Sequence, residues 1–172
     1  MLPKPKACAG CPAADIGRSY VAGEGPPNPK AICLGQGPGR DEALTGRPFI
    51  GPSGRVLDRW FRRVGLPPRG EWWIDNTVCC WLPKDRAPLA KEVAFCRQAH
   101  WGLPFEERLN SKLLVDGTSA VPVLLLGTAA AKAIIGPQAG EGWNGSLELV
   151  ELTQLGGRDA DPMATPFTTD RP

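Results

Sequence analysis

Residues 33–54 read CLGQGPGRDEALTGRPFIGPSG. The apolar run Ala31-Ile32-Cys33-Leu34, bounded by turn formers, predicts a short strand. It leads into Gly35, Gly37 and Gly39, with Pro38 between the last two. Glycine lets a backbone approach a ligand closely, and proline fixes the turn. Gly51-Pro52-Ser53-Gly54 then opens a helix, with Ser53 expected as its N-cap. The free N–H groups of a helix N-terminus suit an anion, and the usual anion is phosphate. Gln36, Glu42 and Phe49 lie between the two glycine segments. The stretch therefore brings an amide, a carboxylate and an aromatic face beside a candidate phosphate site.

A dinucleotide-binding turn is the plainest alternative. That fingerprint places its third glycine three residues after the second, where this chain has Arg40. A phosphate loop of the Gly-Lys-Ser/Thr kind is also absent. The run instead resembles the first motif of the iron–sulfur branch, family 4, of the uracil-DNA glycosylase superfamily. That motif reads roughly G-E-A/G-P-G-x-x-E, then T-G-x-P-F-V-G-x-A/S-G. Here Gly35-Gln36-Gly37-Pro38-Gly39-Arg40-Asp41-Glu42 is followed by Thr45-Gly46-Arg47-Pro48-Phe49-Ile50-Gly51-Pro52-Ser53-Gly54. The spacing is kept, and Gln36 replaces the usual acidic residue.

A chain of 172 residues with 42% hydrophobic content suits one ordinary soluble domain. The net charge of +2 does not announce a nucleic-acid partner. Nineteen prolines and 21 glycines imply many turns. The N-terminus, Met1-Leu2-Pro3-Lys4-Pro5-Lys6, lacks the apolar core of a signal peptide. No run of about eighteen apolar residues predicts a membrane span. The expectation is a cytoplasmic monomer without membrane association, in which cysteines serve metal or redox chemistry.

Cys8-Ala9-Gly10-Cys11 stands in a loop-like segment, where two thiolates can reach one ion. A thioredoxin-type reading needs a strand before the pair and a helix after it, and neither pattern is present. The resemblance supplies two more ligand positions. The branch reads N-x-V-K-C-x-P-P, then N-R-x-P-x-x-x-E-x-x-x-C. This chain has Asn76-Thr77-Val78-Cys79-Cys80-Trp81-Leu82-Pro83, then Asp85-Arg86-Ala87-Pro88-Leu89-Ala90-Lys91-Glu92-Val93-Ala94-Phe95-Cys96. The resemblance thus implies a 4Fe–4S site on Cys8, Cys11, Cys80 and Cys96, with zinc as the alternative ion. Cys79 is a decoy or a substitute ligand, and Cys33 reads as a small buried hydrophobe.

Asp15 to Lys30 reads as loop. A helix is expected from about Ser53 to Val64, burying Val56, Leu57, Trp60, Phe61 and Val64. Arg55, Arg59, Arg62 and Arg63, with Arg40 and Arg47, form either a solvated face or a basic patch beside the phosphate site. Glu71–Cys80 reads as a second strand, ending near Asn76. A strand-end Asn is commonly a turn residue, yet its amide can also pair with the edge of a flipped base. Pro88 is expected as the first residue of a helix carrying Glu92 and Cys96. Residues 121–127, VPVLLLG, read as a buried parallel strand, with Thr128 capping the helix that follows and ends at Gly136. Residues 147–153 alternate as a further strand.

The architecture expected is α/β: a three-layer α/β/α domain spanning 1–172, with a central, mostly parallel, four-stranded sheet. The N-terminal cysteine loop, about 1–30, contributes to the metal site. The resemblance covers about residues 8–150. It implies hydrolysis of the N-glycosidic bond of uracil in DNA after base flipping. By that resemblance Phe49 stacks on uracil and Asn76 pairs with its edge. The turn at Gln36 and Gly37 positions the water, Gly35 belongs to the substrate site, Glu42 orients the water or stabilises the sugar cation, and Gly51, Ser53 and Gly54 hold a phosphate. The branch also carries a late histidine motif, close to H-P-S-x-x-L-R, where this chain has Phe167 or Thr168. Slow turnover is the corresponding expectation. The lone His100 reads as a helix-end residue favouring the dipole. The rivals are a weak or inactive uracil- or DNA-binding protein on the same fold, and a metal module with no base chemistry.

Overall fold

The computed structural model describes residues 3–101, 122–136 and 139. Three parallel strands form the central sheet, in the order β3-β2-β5: β2 is Ala31–Gly35, β3 Trp72–Asn76 and β5 Val123–Leu125. The middle strand is buried along its whole length. Its two-residue alternation sorts the core into two layers. Ala31 and Cys33 pack with Leu57 and Phe61 of α2 (Pro52–Arg63). Ile32 and Leu34 pack with Ala130 and Ile134 of α4 (Thr128–Ile135). Helices on both faces of a parallel sheet make the expected three-layer α/β/α arrangement. Three strands lie among the described residues; the strand expected at 147–153, the tail and Val121 lie outside them.

Several local expectations are corrected. A helix, α1 (Arg40–Thr45), fills what reads as glycine-rich loop. The N-cap of α2 is Gly51, with Pro52 as its first residue, so Ser53 is not the cap. Proline's preset φ suits that first position, and the Gly51 N–H is met by the Glu42 carboxylate from α1. Helix α2 buries Gly54, Leu57 and Phe61 only. Val56, Trp60 and Val64 are exposed, Trp60 by 61%. Neighbouring residues are about 100° apart around a helix, and the sheet covers only the narrower stripe.

The expected strand over Glu71–Cys80 divides. After β3 the chain turns at 77–79, and β4 (Cys80–Trp81) pairs antiparallel with β1 (Arg18–Tyr20), inside a segment read as loop. Helix α3 (Ala90–Cys96) begins two residues after Pro88, with extended Leu89 as its N-cap. The Glu92 carboxylate reaches back to the Leu89 N–H at 2.8 Å, so the helix is capped at Leu89 and Pro88 stands before it, not as its first residue. Gly127, not Thr128, caps α4. A π-helical turn, Arg97–Trp101, continues α3.

Candidate active site and cysteine cavity

Strands β2 and β3 end side by side, Gly35 opposite Asn76. In open α/β sheets the crevice beyond the strand C-termini is where ligands bind. Here a cleft of about 440 Å³ opens there. The two strand exits are tied together: Thr77 donates its N–H to the Gly35 carbonyl at 2.8 Å and its hydroxyl to the Gln36 carbonyl. Of the residues singled out in the sequence, Gln36, Gly37, Glu42, Phe49, Ser53 and Asn76 all line this cleft.

The walls meet at Gly35. A Cβ on Gly35 would lie 2.3 Å from Phe49 Cζ and 2.7 Å from Asn76 Oδ1. Only glycine leaves room for the ring and the amide to converge there. Gly37 has a lesser version of this constraint, with Val78 Cγ2 at 3.1 Å from its would-be Cβ. Asn76 is 2% exposed. An aromatic ring and a buried amide, joined at a glycine beyond a parallel sheet, form a slot for a flat molecule with a hydrogen-bonding edge. A family model for the uracil DNA glycosylase superfamily matches residues 22–157. The chain belongs to that superfamily.

Several relatives carry the name Type-4 uracil-DNA glycosylase. The protein from Thermotoga maritima is 36% identical over 110 residues, 64% of this chain and 56% of the relative. Those from Pyrobaculum aerophilum and Archaeoglobus fulgidus are 36% and 35% identical, over 53% and 52% of this chain and 46% and 44% of their own lengths. The chain spans about half the length of the curated relatives it matches. Cys8 and Cys11 fall outside the residues that the superfamily model matches.

Glu42 is 8% exposed. Its Oε1 accepts the N–H groups of Ile50 and Gly51 at 3.0 and 2.7 Å, and its Oε2 that of Gly39 at 3.1 Å. The carboxylate thus ties the first glycine segment to the second. Around the expected phosphate site, Ser53 faces the cleft, while the Gly51 N–H is held by Glu42. Gly54 is buried, and a Cβ there would lie 1.7 Å from the Phe49 carbonyl oxygen. Its smallness serves close packing of α2 on the Phe49 backbone.

Phe49 itself has φ 53°, unusual for a residue with a side chain. Such a conformation costs on the order of 1–3 kcal/mol and persists where its surroundings impose it. Arg69 supplies part of that surrounding, donating to the Phe49 carbonyl at 2.8 Å and to that of Pro48. Arg69 also pairs with Glu24 at 3.0 Å, and Arg47 binds the same carboxylate at 2.9 and 3.1 Å. Burial raises the Glu24 carboxyl, but the hydrogen bonds from Arg47 and Arg69 outweigh it and hold the group below its ordinary range. Sequence reading placed Arg47 in a basic patch and passed over Glu24 and Arg69. Neither stands in a local pattern, so no sequence signal marked them.

The cysteines gather elsewhere. Cys8, Cys11, Cys79, Cys80 and Cys96 line one small cavity with Lys4, Tyr20 and His100. Cys33 stands apart, buried in β2, and burial pushes its thiol up to about 12. Among the described residues no group of three such side chains is in position to hold a metal ion. The donor chemistry nonetheless fits a thiophilic ion or cluster: thiols from three separate chain segments face one space. A hydrogen bond from Cys79 lowers Cys96 to about 7, while the same contact and burial raise Cys79 well above the ordinary thiol range. His100 Nε2 lies 3.3 Å from Cys8 Sγ, and its ring leans on Tyr20. His100 stands in the last turn of the helical segment, as expected, where burial lowers its pKa and its ring also packs beside Cys8. Cys80 also lines the cleft, so one thiol borders both sites.

Proposed function

We propose that this protein excises uracil from DNA by hydrolysing the N-glycosidic bond, leaving an abasic site. The observation that carries this reading is the convergence of Phe49 and Asn76 on Gly35. A base inside a duplex cannot reach such a slot, so the nucleotide flips out of the stack. Phe49 stacks on the uracil ring, and the Asn76 amide pairs with its edge. In the reaction the bond between C1′ and N1 breaks, water supplies hydroxide to C1′, and the released uracil takes up the proton. Gln36, with Gly35 and Gly37 beside it, positions the water. Glu42 acts as a positioning residue: three backbone N–H contacts commit its carboxylate to holding the cleft together. Ser53, with Gly51 and Gly54 shaping the segment, meets a phosphate of the DNA. The partner is DNA containing uracil, and the protein acts as a monomer.

A 4Fe–4S cluster on Cys8, Cys11, Cys80 and Cys96 is the cofactor proposed, supported by the thiol-lined cavity and by the Type-4 name of the relatives. When bound, it supplies a cross-link between the N-terminal segment, β4 and the end of α3. No helix among the described residues is long and apolar enough to cross a membrane.

Incubation with an oligonucleotide containing one uracil, followed by alkaline cleavage of abasic sites, tests the activity. Strand scission at the uracil position is expected. Phe49→Ala and Asn76→Ala should each weaken handling of the base by about 1–3 kcal/mol. Retention of uracil DNA without scission would favour a binding protein on this fold.

A further inference from the structure

We propose that Arg69, anchored by Glu24, is a positioning residue that sets where the Phe49 ring stands and so how firmly the cleft grips a flipped base. The inference rests on the proposed function only in taking the stacked molecule to be uracil.

The path runs through bonds already described. Glu24 pairs its backbone with Ile74 of β3, at 2.9 Å for its N–H and 2.8 Å for its carbonyl. Ile74 lies two residues before Asn76, so Glu24 is registered to the strand that carries the edge-reading amide. Its carboxylate holds Arg69, and Arg69 grips the consecutive carbonyls of Pro48 and Phe49. A contact with Asp58 at 3.5 Å adds α2 to the same guanidinium. Arg47 closes the set by binding Glu24 two residues before Phe49.

A planar guanidinium has donors in a rigid fork and can serve several acceptors at once; an ammonium group is a compact point donor. Phe49 has φ 53°, and the two terminal nitrogens of the Arg69 fork reach its carbonyl and that of Pro48 together. Gly54 packs against the Phe49 carbonyl on another side, and Gly35 lies against the ring. Phe49 and Asn76 are therefore referenced to one strand by separate routes. Asn76 belongs to β3, whereas Phe49 reaches it through Arg69 and Glu24.

The test uses the full chain with 4-fluorophenylalanine in place of its five phenylalanines. The Phe49 fluorine resonance is assigned from Phe49→Leu. Arg69→Lys and Glu24→Gln should each shift or split that resonance, with near-ultraviolet dichroism retained. The second measurement is affinity for a single-stranded oligonucleotide bearing one 2′-fluoro-2′-deoxyuridine, whose glycosidic bond resists hydrolysis. Arg69→Lys should weaken it roughly tenfold, leaving affinity for the matching thymidine strand unchanged. An unmoved Phe49 resonance in both variants overturns the proposal. So does a moved resonance with uracil affinity intact. If Arg69→Lys does not fold, Glu24→Gln alone decides both measurements by the same criteria. A parent protein that does not prefer the uracil strand defeats the functional reading, while the fluorine measurement still decides whether Arg69 positions Phe49.

Discussion

The cleft and the cysteine cavity share Cys80, yet they are built in opposite ways. The cleft is held together by the protein itself. Glu42 joins the two glycine segments, Thr77 joins the two strand exits, and Arg69 joins the Phe49 loop to Glu24. The cavity draws on residues 4–20, 79–80 and 96–100, and its thiols do not stand as a ready ligand set among the described residues. One site is preorganised by hydrogen bonds; the other is a gathering of soft donors that a bound group would draw together. Preorganisation suits a site that recognises its ligand by shape and hydrogen bonding, because order is present before the ligand arrives. A metal or cluster can supply its own ordering energy on binding.

That contrast is broken most directly at Cys80. Cys80→Ala should lose the iron of the proposed cluster and expose the segment before Tyr20 to protease, because metal binding in thiolate sites is worth on the order of 10 kcal/mol and is also folding energy. Iron content and limited proteolysis measure this. If the variant holds as much iron as the parent, Cys79 has replaced Cys80 as a ligand.

Gly54→Ala sharpens the other half of the comparison. The new methyl would overlap the Phe49 carbonyl, a backbone atom held by Arg69. A loss of about 1–3 kcal/mol in denaturant unfolding is expected, with iron content unchanged. Unaltered stability would mean that the cleft is looser than its hydrogen bonds imply.

The smallest effect is expected from acid. The Glu24 carboxyl lies below its ordinary value of 4.5. A carboxyl depressed by folding contributes stability that is present above its unfolded value and is lost as pH falls through the folded one. The parent should therefore lose more stability than Glu24→Gln between about pH 5 and 3, followed by thermal melting across that range. Parallel curves for the two proteins would place the Arg47–Glu24–Arg69 set outside the energetics of the cleft.

Much of the fold was legible because it is written locally. Ala31–Leu34 announced a buried strand, and its alternation sorted the core into two layers. The glycine spacing grouped Gln36, Glu42 and Phe49, the resemblance added Asn76, and all four line one cleft. The misreadings share a cause. Ser53 and Pro88 have residue types suited to starting a helix, but the N-caps are Gly51, two residues before Ser53, and Leu89, one after Pro88, whose N–H groups are met by the Glu42 and Glu92 carboxylates. Val56, Trp60 and Val64 have the right periodicity for a core, but the described residues leave about half of each exposed.

By itself, then, the sequence determined the strand, the glycine turn, the helix behind it and residues that line the cleft. Only the tertiary structure decided what holds them. Arg69 meets Phe49 across 20 positions of chain, Glu24 meets Arg69 across 45, and His100 meets Cys8 across 92. Backbone preferences and side-chain periodicity act between near neighbours and leave a repeating trace. A guanidinium that bridges distant segments leaves none, because its partners are chosen by the packing of the sheet and helices between them.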